Sequence, residues 1–308
     1  MAGILDPVAN PLLLLPDFLL IALGWVICRF TALDRPVWQA AERLVYYLLF
    51  PVLLFTSIVK TPIRPLETAS LAAAGVGALA VAIVAAYAVG RIPGVDRRLH
   101  ASGAQVAFRF NSYVALALAE RLSGAQGLAW MALLIALSVP ICNLAAVWSL
   151  ARHGGHPYLR ELARNPLIIS TVAGMAGNAA GLQLPDALAT TLQRIGVAAL
   201  PLGLMAVGAG LTVGGLRAAP RLASSLLAIK HLVLPAAAIG LATLLMLPSG
   251  QRATVVLYAA LPTASSAYVL AARMGGDGGF VAGLVTVSTL LGMLSVPLWL
   301  AISAAGGG

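Results

Sequence analysis

Ten apolar stretches follow one another along the chain, at 12–29, 37–59, 68–90, 101–120, 126–150, 165–183, 189–212, 221–247, 252–272 and 278–303. Their apolar character is continuous, with no two-residue alternation, so the pattern predicts helices rather than the strands of a barrel. Each is close to the roughly 20 residues that a helix needs to span a bilayer. Glycine, proline and charge coincide where the stretches end, as in Lys60-Thr-Pro-Ile-Arg-Pro65, Arg91-Ile-Pro-Gly-Val-Asp-Arg-Arg98 and Met274-Gly-Gly-Asp-Gly-Gly279. Such segments make tight connections and keep charge in water. The expected fold class is an all-α membrane protein of about ten transmembrane helices.

Composition removes the soluble alternative. The chain is 60% hydrophobic and 9% charged, with a mean hydropathy of +0.96. A soluble protein carries about 25% charged residues. The net charge of +9 is spread one to three arginines at a time between apolar runs, which suits lipid headgroups and not a nucleic acid. Met1–Asp6 holds no Lys or Arg, so the first stretch is expected to stay as a span and not to act as a signal peptide. Cys28 and Cys142 lie in apolar runs and read as small core residues. No His-Glu-x-x-His, Gly-x-Ser-x-Gly, Walker loop or cysteine–histidine cluster occurs, so neither an enzyme nor a cofactor or metal is expected.

Charge asymmetry sets an orientation. Loops after spans 1, 3, 5, 7 and 9 hold twelve Lys and Arg, against five after spans 2, 4, 6 and 8. The first set is therefore expected in the cytoplasm, with both termini outside. The halves also resemble each other. Asn10-Pro11 recurs as Asn165-Pro166, Leu49-Phe-Pro51 as Ala199-Leu-Pro201, and Leu118-Ala-Glu-Arg121 as Leu270-Ala-Ala-Arg273, at offsets of 155, 150 and 152. Five spans per copy is odd, so the second copy would insert upside down. The expected organisation is one five-helix repeat over 1–150, a short cytoplasmic connection over 151–164 and an inverted repeat over 165–308. Inverted repeats place a substrate site near the midplane, between discontinuous helices.

Of the nineteen positive residues, Arg109 and Lys230 lie deepest within spans and belong to no loop. The stretch Phe108-Arg109-Phe110-Asn111-Ser112-Tyr113 lies opposite Pro262-Thr263-Ala-Ser265-Ser266-Ala-Tyr268 at offset 152. A proline in a span breaks its helix, and unwound backbone at membrane depth is tolerated against protein or a water-lined cavity. Helix N-termini there favour an anion. Arg109 is either a carboxylate anchor or a structural arginine that binds loop carbonyls or snorkels. Asn111 is the stronger site residue, because its amide both caps a half-helix and donates to a substrate oxygen. Arg109, Asn111, Ser112, Tyr113, Pro262, Thr263, Ser265, Ser266 and Tyr268 are the candidate substrate residues. Asp17, Lys230 and His231 are candidate coupling groups, although Lys230 could equally snorkel and Asp17 cap or pair near the interface. Gly174–Gly177 and Gly203–Gly210 permit close helix contact within one chain or between the copies of a homodimer.

These segments carry a family resemblance. Asn165-Pro-Leu-Ile-Ile, Leu200-Pro-Leu-Gly-Leu-Met-Ala-Val-Gly208-Ala-Gly210 and Leu261-Pro-Thr-Ala-Ser-Ser-Ala-Tyr-Val-Leu-Ala-Ala-Arg273 resemble the auxin efflux carrier family, within a superfamily that includes bile-acid/sodium symporters. The resemblance implies two inverted five-helix repeats with helices 4 and 9 broken where they cross, and transport of small organic anions such as di- and tricarboxylates. It also matches Asn111 and Pro262 to the two crossover positions. Many members have Gly-Ile-Pro after the asparagine, where this chain has Ala115-Leu116-Ala117. Arg109 and Asn111 are then left to define the break. Plant-type members carry a long insertion between helices 5 and 6, where this chain has only Ala151–Arg164, so a compact carrier of a bacterial inner membrane is expected. The function expected is a secondary transporter, an efflux carrier, moving small organic anions such as carboxylates by alternating access. The alternatives are a sodium- or proton-coupled symporter of the bile-acid type and a membrane sensor that binds without transport.

Overall fold

A computed structural model describes residues 15–60, 65–150, 166–211, 219–264 and 266–305. Every regular element among them is helical: α1 Leu15–Phe30, α2 Arg35–Leu44, α3 Phe50–Lys60, α4 Pro65–Val89, α5 Arg97–Gly103, α6 Ser112–Leu150, α7 Pro166–Ala179, α8 Asp186–Val197, α9 Ala199–Ala209, α10 Pro220–Ala228, α11 Leu234–Leu244, α12 Ser249–Ala260, α13 Ser266–Arg273 and α14 Gly278–Ala305. The connection expected over 151–164 lies outside the described residues. Thr68–Val89, Arg97–Leu150, Asp186–Ala209, Pro220–Leu244 and Gly278–Ala305 are long and apolar enough to cross a membrane. Large apolar side chains such as Val84, Leu144, Leu244 and Leu294 face outward, as lipid contact requires and water would penalise. The protein is an integral membrane protein.

Several apolar stretches contain two helices, and proline explains two of the joints. Val45–Leu49 links α2 to α3 and Ile229–Val233 links α10 to α11, each as a π-helical turn. Pro51 and Pro235 have no N–H, and their rings crowd the carbonyl four residues back. The chain widens to compensate. Phe50 N–H bonds Val45 O and Leu234 N–H bonds Ile229 O, five residues back in each case. In α6 the joint is glycine: Ser123 and Gly124 leave helical geometry, Gly124 with φ +56°. That left-handed conformation costs a glycine little. It lets α6 fold back at the gap foreseen between 120 and 126.

The helices form two packed groups. α1–α3 pack with α7–α9, and α4–α6 pack with α10–α14. They meet along α6, which touches α3, α7 and α9. In the first group α1 and α9 approach backbone to backbone. A Cβ on Gly24 would stand 1.9 Å from Met205 O, and one on Gly208 1.8 Å from Ile21 O. Gly174 and Gly203 likewise face Ile58 and Phe50. The glycine clusters are thus used inside this chain and lend no support to a second copy.

Candidate functional site: a double helix break

The second packed group contains two interrupted helices. The first interruption begins after α5. Asp96 caps that helix by accepting from Arg98 N–H at 2.8 Å and Leu99 N–H at 2.9 Å. The helix tightens into a 3₁₀ turn at Ala104–Ala107, and Phe108 and Arg109 N–H both return to Gln105 O, at 3.3 and 2.9 Å. Arg109, Phe110 and Asn111 are not helical. Asn111 then starts α6. Its Oδ1 accepts from Tyr113 N–H at 3.0 Å and Val114 N–H at 3.3 Å, and its carbonyl accepts from Ala115 N–H at 2.9 Å. This is an N-cap, which satisfies donors that no helix can satisfy for itself. Ala115, Leu116 and Ala117 lie buried in α6, so the break stands at Arg109–Asn111 without a proline.

The second interruption follows α12. Leu261 is extended at φ −55° and ψ 145°, the conformation favoured before a proline. Pro262 O accepts the Asn111 N–H at 2.8 Å. One hydrogen bond therefore joins the two breaks. Thr263 N–H donates to Ser288 Oγ of α14 at 3.0 Å, and its own buried hydroxyl has no partner. Ser265 lies outside the described residues. Ser266 starts α13, but its side chain is outside the description.

A second link runs through Gln105, which the sequence reading did not single out. It is 1% exposed. Its Nε2 donates to Ser102 O and to Ala267 O of α13, both at 3.1 Å, and its Oε1 accepts from Arg109 Nη1 at 3.1 Å. An amide four residues before an arginine was the available signal, since that spacing brings the two side chains together where the chain is helical. Arg109 is half-buried and held at the break by this contact.

The remaining candidates separate. Ser112 is half-buried as the first residue of α6. Tyr113 stacks on Phe50 of α3, with centroids 4.8 Å apart, and so touches the other packed group. Tyr268 is half-buried against the core. Asp17 lies in α1, which packs chiefly on α9 and away from the breaks; its side chain is outside the description. His231 is bonded throughout: Nδ1 to Ser295 Oγ and Nε2 to Ser288 Oγ, both at 2.9 Å, while its carbonyl accepts from Trp299 Nε1 at 2.8 Å. That carbonyl is the one Pro235 leaves without a helical partner. Lys230 is fully buried with no partner for Nζ, which removes the snorkelling alternative.

More polar groups surround the first break than the sequence reading named. Cys142 Sγ donates to Phe108 O at 3.5 Å, and Tyr258 packs edge-on against Phe110, with centroids 4.9 Å apart. Tyr258 Oη and the neighbouring Ser138 Oγ are buried and find no well-formed hydrogen bond. A serine or cysteine in an apolar helix gives no sequence signal, because small residues are common there for packing alone. Beside α5 a cavity of about 890 Å³ is lined by Arg91, Arg97, Arg98, His100, Ser102 and Trp148, among others. It lies toward the charged end of α5 and not at the breaks. Among the described residues, no three His, Cys, Asp or Glu side chains are grouped to hold a metal ion.

Comparison with known proteins points to membrane transport. Residues 152–300 match the family described as membrane transport protein. The chain is 26% identical over 300 residues to a protein of Rhizobium meliloti (strain 1021) named "Putative malonate transporter", covering 92% of each chain. Both matches are to transport proteins and neither to an enzyme. The family that the sequence resembles is thus the one that comparison finds: residues 152–300 are similar to membrane transport proteins of the auxin efflux carrier type.

Proposed function

We propose that the protein is a secondary carrier that exports small carboxylates across a bacterial inner membrane by alternating access around the two breaks. The observation that carries this reading is the Asn111 N–H bond to Pro262 O at 2.8 Å. It brings the start of α6 onto the break between α12 and α13 within the apolar core. A helix start carries the positive end of the helix dipole, which favours a carboxylate. Asn111, the hydroxyls of Ser112, Thr263, Ser265 and Ser266, and Tyr113 and Tyr268 supply hydrogen bonds, and Arg109 supplies charge.

The proposed organisation is ten helices in two inverted repeats, 1–150 and 165–308, with 151–164 in the cytoplasm and both termini outside. The breaks support it, because they fall at repeat-equivalent positions. The cavity beside α5, with its three arginines, serves as a cytoplasmic vestibule that raises the local anion concentration. α1–α3 and α7–α9 act as the frame against which the crossing helices move. The name of the Rhizobium relative makes malonate the first substrate to test.

The test is counterflow of labelled malonate in proteoliposomes loaded with unlabelled malonate. Exchange by the wild type is expected without sodium. Arg109→Ala should lower it at least tenfold while leaving thermal unfolding unchanged. Failure of the wild type to exchange any small carboxylate would sink the carrier reading. Normal exchange by Arg109→Ala would remove only that residue from it, and a strict sodium requirement would favour the symporter alternative.

A further inference from the structure

Lys230 is 0% exposed in the π turn of Ile229–Val233, and its Nζ has no hydrogen-bond partner. None of the acidic residues described pairs with it. An ammonium taken out of water needs a counter-charge or several acceptors, since desolvation is otherwise uncompensated. The surrounding polar groups do not provide this. Cys142 lies within electrostatic reach of both Lys230 and Arg109, and its Sγ is bonded to Phe108 O. Near Cys142 stands Tyr258 Oη with Ser138 Oγ beside it, and Thr263 Oγ1 lies across the joined breaks; all three are buried and none makes a well-formed hydrogen bond. One cation and several hydroxyl donors, with no carboxylate paired to them among the described residues, make the donor set of an anion site.

We propose that the carboxylate of the transported anion is the counter-ion of Lys230, and that the unpaired hydroxyls of Thr263 and Tyr258 complete its coordination. This rests on the carrier reading above and deepens it by assigning the fixed charge. The π turn has a part in it. Within that turn Lys230 lies in electrostatic reach of Cys142, while His231 bonds Ser288 and Ser295 on α14. His231 then braces the second break, and Lys230 is left to the ligand.

Lys230→Met separates a ligand role from a structural one. The substitution keeps the length of the side chain and removes a charge that the protein does not pair. The purified variant should therefore unfold at a temperature equal to or above that of the wild type. Malonate should raise the unfolding temperature of the wild type, because it binds the folded state only, and sodium chloride at equal ionic strength should not. In Lys230→Met the apparent malonate affinity should fall at least tenfold, and counterflow should fall with it. An unchanged malonate shift in Lys230→Met overturns the assignment while leaving the carrier reading in place. A variant that unfolds well below the wild type also overturns it, since the lysine would then be structural. If neither malonate, succinate nor acetate shifts the wild type, the carrier reading fails and takes this assignment with it.

Discussion

The two breaks meet the same demand by different means. Each leaves backbone N–H and C=O groups unpaired inside a protein surrounded by lipid, where no water can satisfy them. The break at Arg109–Asn111 is served mainly from within. Asn111 caps α6 with its own side chain, and Gln105, in the turn just before the break, holds Arg109. The break at Leu261–Thr263 draws on a distant helix: Thr263 N–H ends on Ser288 of α14, which also bonds His231. A locally capped break depends on one residue, whereas an externally capped one depends on the packing of three helices. The difference predicts where each is weak.

The largest effect is expected at the borrowed partner. Ser288→Ala would orphan the buried Thr263 N–H and one nitrogen of His231, a loss of about 2–4 kcal/mol for two buried groups. Thermal unfolding of the purified protein measures it. Asn111→Ala should cost less, about 1–2 kcal/mol for a lost N-cap. Asn111→Asp sharpens the point, because it keeps the capping oxygen and adds a negative charge. It should restore the unfolding temperature and still abolish malonate exchange. Recovery of both by Asn111→Asp would mean that Asn111 is a cap and nothing more. The smallest effect is expected for Gln105→Leu, about 1 kcal/mol, because the carbonyls it leaves have second lone pairs or helical partners. If Asn111→Ala proved more damaging to stability than Ser288→Ala, the contrast between local and borrowed capping would be lost.

The same contrast explains what was legible in the chain. Asn111 and Pro262 declare themselves, since a capping amide and a proline act on their immediate neighbours whatever surrounds them. The position of the break at 109–111, with Ala115–Ala117 remaining helical, follows from that local chemistry. The partners do not declare themselves. Ser288, Ser295, Ser138 and Cys142 read as small residues in apolar helices, and their hydrogen-bonding roles exist only once another helix is beside them. Lys230 was conspicuous as a cation in a span, but its depth was not. A lysine near a helix end can reach the surface, and only the packing of α10 and α11 against α4, α12 and α14 closes that route.

The sequence by itself determined that this is a helical membrane protein, that it is interrupted near Asn111 and at Pro262, and which family it resembles. Those properties follow from composition, from period and from residues that act on their own backbone. Tertiary structure decided that the two interruptions share a hydrogen bond, that the glycine clusters bring α1 and α9 together inside one chain, and that His231 is braced while Lys230 is not. The reason is physical. Hydrogen bonds and charge compensation inside a membrane protein are made between helices far apart in the chain, and the identity of one partner does not reveal the other.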